Sequence, residues 1–148
     1  MRQIYETAAN REQQRDIAAE AGRALKATML EMPPLYPVDY LAVKPADTGW
    51  SHARVEIKRR DINEGQYPDI MLSLSKLAAL KSLAKETGFS ALFIVQTNYA
   101  MLMARPIMLT ERDYTIRHGG RTKHTRDQWD VEQVAHIPMA LFQELERY

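Results

Sequence analysis

The chain has 148 residues, 45% hydrophobic and 26% charged, which is the composition of an ordinary globular fold and a length suited to one domain, 1–148. It has no cysteine, which excludes a disulfide framework, a thiolate zinc site and a cysteine nucleophile, and fits a reducing compartment. A net charge of +1 does not announce nucleic-acid binding, so any such role requires local clustering of charge.

The opening "MRQIYETAANREQQRD" has no apolar run after its arginine, so it does not read as a signal peptide. No stretch approaches the roughly 20 apolar residues of a bilayer span. A cytoplasmic protein without a membrane partner is expected. "NREQQRDIAAEAGRALKATM" is the first predicted helix, with Asn10 as N-cap and Ile17, Ala21, Leu25 and Met29 at helical spacing. Prolines 33, 34 and 37 end it. "YPVDYLAV" and "HARVEIKRR" follow as two strands of a hairpin, with Pro45, Asp47 and Gly49 supplying turn chemistry between them. "EGQYPDIMLSLSKLAALKSLAKETG" is the second predicted helix, with Pro68 in its first turn and Gly88 at its stop. "ALFIVQ" is a strand buried on both faces, and "AMLMARPIML" pairs beside it. "DYTIRHGGRTKHTR" reads as a strand, a Gly-Gly turn and a basic return; "EQVAHIP" is a last strand and "MALFQELERY" a C-terminal helix. The sum is an α/β (α+β) fold, a mixed central sheet flanked by helices.

Within "ARVEIKRR", strand alternation sends Val55 and Ile57 to one face and Glu56 and Lys58 to the other. A solvated edge strand would account for that pair alone. However, a hairpin centred near Asp47 and Thr48 sets Asp39 opposite Glu56, with Cβ atoms about 5 Å apart on one face. A purely structural sheet gains nothing from two acids so placed, whereas two hard oxygen ligands at that separation can hold Mg²⁺ or Mn²⁺. Lys58, two residues along, could then orient a water or neutralise charge developing on a phosphate. A slip of one residue in register would turn one carboxylate to the other face.

Asp39 followed on the next strand by Glu56-Ile57-Lys58 resembles the PD-(D/E)XK nuclease superfamily. The stretches "YPVDYLAV", "EIKRR", "YPDIMLSLSKLAAL" and "AHIPMALFQEL" extend the likeness from Tyr36 onward, toward a small single-domain phage and bacterial branch. The resemblance implies an α-β-β-β-α-β core, as in restriction endonucleases, around a Mg²⁺-dependent phosphodiesterase site. It implies that Asp39, Glu56 and the Ile57 carbonyl bind metal and that Lys58 assists the attacking water. The residue before Asp39 is Val38 where the namesake motif has proline, with Pro37 one place early. The superfamily often adds a glutamate from the first helix. Of Glu12, Asp16 and Glu20, Glu12 is taken, because the first turn is expected near the site. A lysine on the second helix, here Lys76 with Ser73 one turn before it, is implied to approach the same place.

Arg59 and Arg60, with Arg117, Arg121, Lys123 and Arg126 in the basic hairpin, concentrate positive charge and are expected to contact nucleic-acid phosphates, DNA rather than RNA by preference. As solvated loop residues they would need no such role. Tyr67 before Pro68 reads as a hydrophobic staple. The four histidines have no zinc-site spacing, "HGGR" is no phosphate-binding glycine loop, and no G-x-S-x-G elbow occurs. The expected activity is Mg²⁺- or Mn²⁺-dependent hydrolysis of DNA by a nuclease. The alternative is a nucleic-acid-binding or assembly module on the same fold with a weak or lost active site. A homodimer is the ordinary prior for an enzyme that cuts two strands.

Overall fold

The computed structural model describes residues 8–46, 49–120 and 131–148. Helix α1 (Ala8–Leu25) leads into β1 (Thr28–Glu31), β2 (Tyr40–Ala46) and β3 (Gly49–Arg59). Then follow β4 (Asp69–Ser73), α2 (Leu74–Thr87), β5 (Ser90–Gln96) and β6 (Ala100–Ala104). The chain closes with β7 (Thr115–Gly120), β8 (Val131–Pro138) and β9 (Gln143–Arg147). A six-stranded mixed sheet runs in the order β1-β2-β3-β5-β6-β9, and β4-β8-β7 form a second, antiparallel sheet.

Two cores hold these layers. On one face of the large sheet, Ile17, Ala18 and Ala21 of α1 pack on Tyr40, Val55, Ile57, Leu92 and Ile94. On the other, Leu77 and Leu80 of α2 pack with Phe93 and Val95, and Ile70, Leu72, Ala135 and Ile137 join from the small sheet. Phe93, Ile94, Val95, Val55 and Ile57 are fully buried, each contributing about 1.5–3 kcal/mol of apolar burial. Because Val55 and Ile57 belong to the α1 face, Glu56 and Lys58 are turned toward the α2 face. β3 and β5 run parallel, with Glu56 beside Phe93 and Lys58 beside Val95.

The expected hairpin register is the one observed: Tyr40 pairs with Val55 and Leu41 with Arg54, and the ladder closes at Ala46 and Gly49. Several boundaries differ from expectation. The first helix stops at Leu25, not Met29, because Lys26 turns into the left-handed region (φ 56°) and the Ala27 amide bonds the Gly22 carbonyl at 2.8 Å. The residues beyond form β1, antiparallel to β2. A lysine in that conformation lacks the glycine that normally marks such a stop.

The second helix begins at Leu74 rather than near Pro68. Residues 69–73 are a strand in which Ile70 and Leu72 are buried and Met71 is exposed, a period of two that the nearby proline masks in the sequence. Tyr67 is 52% exposed, so it is no staple. The true N-cap is Ser73, whose Oγ accepts from the Lys76 amide, and Gly88 (φ 72°) closes the helix as expected. The C-terminal helix is instead a short 3-10 turn, Met139–Leu141, and then β9 on β6. "QELER" is helix-forming by propensity, but the free edge of β6 claims it. Gly119 and Gly120 lie in the β7–β8 ladder instead of forming a turn.

Candidate active site

The site is built where β2 begins and β3 approaches its end. Asp39 stands one residue before the β2 ladder, opposite Glu56 in the register that the ladder extends. Its backbone amide bonds the Val55 carbonyl at 3.1 Å, and its Oδ2 accepts from the Ile57 amide at 2.8 Å. Asp39 is thus tied to β3 at two points. Glu56 is only 2% exposed. Its Oε1 lies 3.5 Å from Lys58 Nζ and its Oε2 lies 3.3 Å from Lys76 Nζ. Oε2 nevertheless accepts no hydrogen bond among the described residues, and the Lys76 ammonium donates to the Pro37 carbonyl at 2.5 Å.

Burial first, and the neighbouring Glu56 charge second, push the Asp39 carboxyl from 3.8 up to about 6. The Ile57 amide and the two lysines pull the other way. Two acids and two ammonium groups therefore share a partly dehydrated recess. Lys58, 37% exposed, faces its open side, while Lys76, 20% exposed, sits deeper. A cation with a demand for hard oxygen ligands would find two carboxylates and the strand's carbonyls here.

The other expected residues fall in different places. Lys76 joins the recess, as the resemblance implied. Glu12 is exposed on α1, the layer on the opposite face of the sheet from Glu56, and no group of three acids or histidines suited to a metal occurs among the described residues. Arg59 is half-buried and donates to the carbonyls of Arg60 and Gln96 and to Asn98 Oδ1. Arg60, also half-buried, donates to Arg59 and Met71 carbonyls, and burial lowers its pKa while the Glu56 charge opposes that shift. Both guanidinium groups are engaged in tying β3 to its neighbours. Arg117 is exposed on β7. Arg121, Lys123 and Arg126 lie outside the described residues.

By sequence Pro37 is a helix breaker and a displaced motif proline. Its carbonyl turns out to anchor Lys76, and nothing in the residue type signals that contact. His136 pairs with Asp69 at 3.1 Å between β8 and β4, away from the carboxylate pair in sequence and sheet.

A family model described as "Phage putative PDDEXK endonuclease" matches residues 1–145. A search of curated protein sequences finds no match. Among solved structures, the chain is similar to Hjc, a Holliday junction resolvase from the archaeal hyperthermophile Archaeoglobus fulgidus, with a TM-score of 0.54 and 18% identity. That likeness covers 88% of this chain and 86% of the other, and it carries the fold.

Proposed function

The chain belongs to the phage PD-(D/E)XK endonuclease family, and from that premise we propose that it hydrolyses DNA phosphodiester bonds with Mg²⁺ or Mn²⁺ held at Asp39 and Glu56. The observation that supports this most is Glu56 itself: a carboxylate 2% exposed, one oxygen without a hydrogen bond, beside a second, half-buried acid. Folding that pair together costs free energy, and a divalent cation is the partner that would offset it. Asp39 Oδ1, Glu56 and the Ile57 carbonyl are the donors we assign to it. A bound cation would polarise a phosphate oxygen and neutralise charge as the transition state forms.

The chain's own groups supply the remainder. The Ile57 amide fixes the Asp39 carboxylate. Lys76, anchored on Pro37, fixes the rotamer of Glu56 from below. Lys58, on the open side, orients the attacking water and stabilises negative charge on the pentavalent phosphorus. Arg117 and the basic segment after it would contact the DNA backbone.

The test is cleavage of labelled duplex, single-stranded, flap and four-way DNA with Mg²⁺, Mn²⁺ or EDTA. Wild type should cut at least one substrate only with metal, and Glu56→Gln and Lys58→Ala should each lose 100-fold or more in rate. DNA binding without cleavage would favour the binding-module reading. Cleavage by Glu56→Gln at the wild-type rate would remove the site assignment.

A further inference from the structure

Between β1 and the start of β2 the chain makes a turn built on prolines 33, 34 and 37 and tipped with apolar side chains. The Tyr36 amide bonds the Pro33 carbonyl at 2.9 Å, closing the tip. The Met32 amide bonds the Asp39 carbonyl at 3.0 Å, closing the base. Pro34 holds the second position of the turn and Leu35 keeps a negative φ, as a type I turn requires. The prolines fix φ and Val38 is buried in the core, so the turn has little freedom to lose when something binds it.

Turn tips ordinarily hold glycine, asparagine, aspartate or serine. Here Leu35 is 66% exposed and Tyr36 is 39% exposed. One exposed leucine needs no explanation. A leucine and a tyrosine side by side on a rigid tip are apolar surface held out for a partner.

The same segment forms a wall of the site. The Pro37 carbonyl takes the Lys76 ammonium, which stands 3.3 Å from Glu56 Oε2. Tyr36 and Asp39 border one small hollow. Tyr36 lies three residues before Asp39, at most about 10 Å of extended chain, or three base steps at about 3.4 Å each. A phosphate placed at the two carboxylates therefore brings its neighbouring bases against this tip. Neither side chain carries charge for a phosphate, whereas a tyrosine ring stacks on a base and a leucine fits between unstacked bases.

We propose that Leu35 enters a base step beside the scissile phosphate and that Tyr36 stacks on the base so displaced. The substrate is then DNA that opens readily at that step, such as mismatched, nicked or branched DNA. The proposal rests on the nuclease reading for the position of the phosphate, and its test is read without cleavage.

The full chain is titrated in EDTA against a duplex with one mismatched step and against its fully paired counterpart. Anisotropy of a terminal dye gives affinity, and a fluorescent base analogue at the step reports unstacking. Wild type should bind the mismatched duplex about tenfold more tightly and raise the emission of the analogue. Leu35→Ser combined with Tyr36→Ser should remove the preference and the rise. Tyr36→Phe, which keeps the ring, should retain both, and thermal melts check that the variants fold.

Equal affinity for the two duplexes in wild type, with unchanged emission, would overturn the proposal. So would a double variant that keeps the preference. A wild type that sediments as a dimer and a double variant that sediments as a monomer would also overturn it, giving the tip to a second copy of the chain. Metal-dependent cleavage of the same duplexes, with Glu56→Gln as control, is measured separately. Cleavage without unstacking would remove the base contact alone. Unstacking without cleavage would remove the nuclease reading and leave the base contact standing.

Discussion

Asp39 shows how a single side chain can set the pH response of the fold. Its carboxyl titrates near 6 in the folded protein against 3.8 in an exposed chain. Between those values the folded state retains a proton that the unfolded state has released, so stability falls as pH rises from about 4 to 6 and is level above. At about 1.4 kcal/mol per unit the cost is a few kcal/mol at most. Asp39→Asn removes this contribution while keeping an oxygen for the Ile57 amide. In metal-free denaturant titrations it should equal wild type near pH 4 and exceed it above pH 6. An equal difference at both pH values would mean that the acid is not under strain. Lys76 is the complementary case. Lys76→Met leaves Glu56 with Lys58 alone and should cost about 2 kcal/mol in stability, because a buried charge loses a partner. Cleavage should fall about tenfold, less than for Lys58→Ala. A larger fall than for Lys58→Ala would exchange the roles given to the two lysines.

At the scale of elements, the junction of β4 and α2 brings the second lysine to the site. Ser73 ends the strand and caps the helix, its Oγ 3.1 Å from the Lys76 amide, so the first turn of α2 is fixed where Lys76 must reach across to Pro37 and Glu56. Ser73→Ala should cost about 1 kcal/mol and lower the melting temperature by about 3 °C. Ser73→Thr, which keeps the cap, should recover most of it. Equal losses from both substitutions would point to packing rather than the cap. β3 works differently. Its two-residue alternation gives one set of side chains to the α1 core and the other to the site, so the apolar burial of Val55 and Ile57 is what aims Glu56 and Lys58.

For the molecule as a whole, a site that binds a cation only when folded must gain stability from it. Saturation at 100 times the dissociation constant is worth about 2.7 kcal/mol. Wild type should therefore melt several degrees higher with Mn²⁺ than with EDTA, and Glu56→Gln should show no such rise. A rise retained in the variant would place the cation elsewhere. No helix among the described residues is long and apolar enough to cross a membrane.

The local chemistry of the strands was legible in the sequence. Alternation around Glu56 and the register that sets Asp39 opposite Glu56 follow from strand periodicity, a short-range property, whereas Pro45 and Gly49 of the expected turn lie in the strands and Asp47 lies outside the described residues. Gly88 was legible too, since a left-handed stop has a residue signature. The helix stop at Lys26 had none, and β4 and β9 were hidden because their pairing partners, β8 and β6, lie far away in the chain. Propensity is weak against a free sheet edge. The resemblance, not the spacing, pointed to Lys76, and nothing pointed to the Pro37 carbonyl as its anchor. Those depend on where α1 and α2 settle across the sheet, which is decided by the packing of two cores at once. The sequence by itself determined strand alternation and the hairpin register, which are short-range properties; the tertiary structure decided which side chains meet, because the packing of two cores fixes where the helices lie.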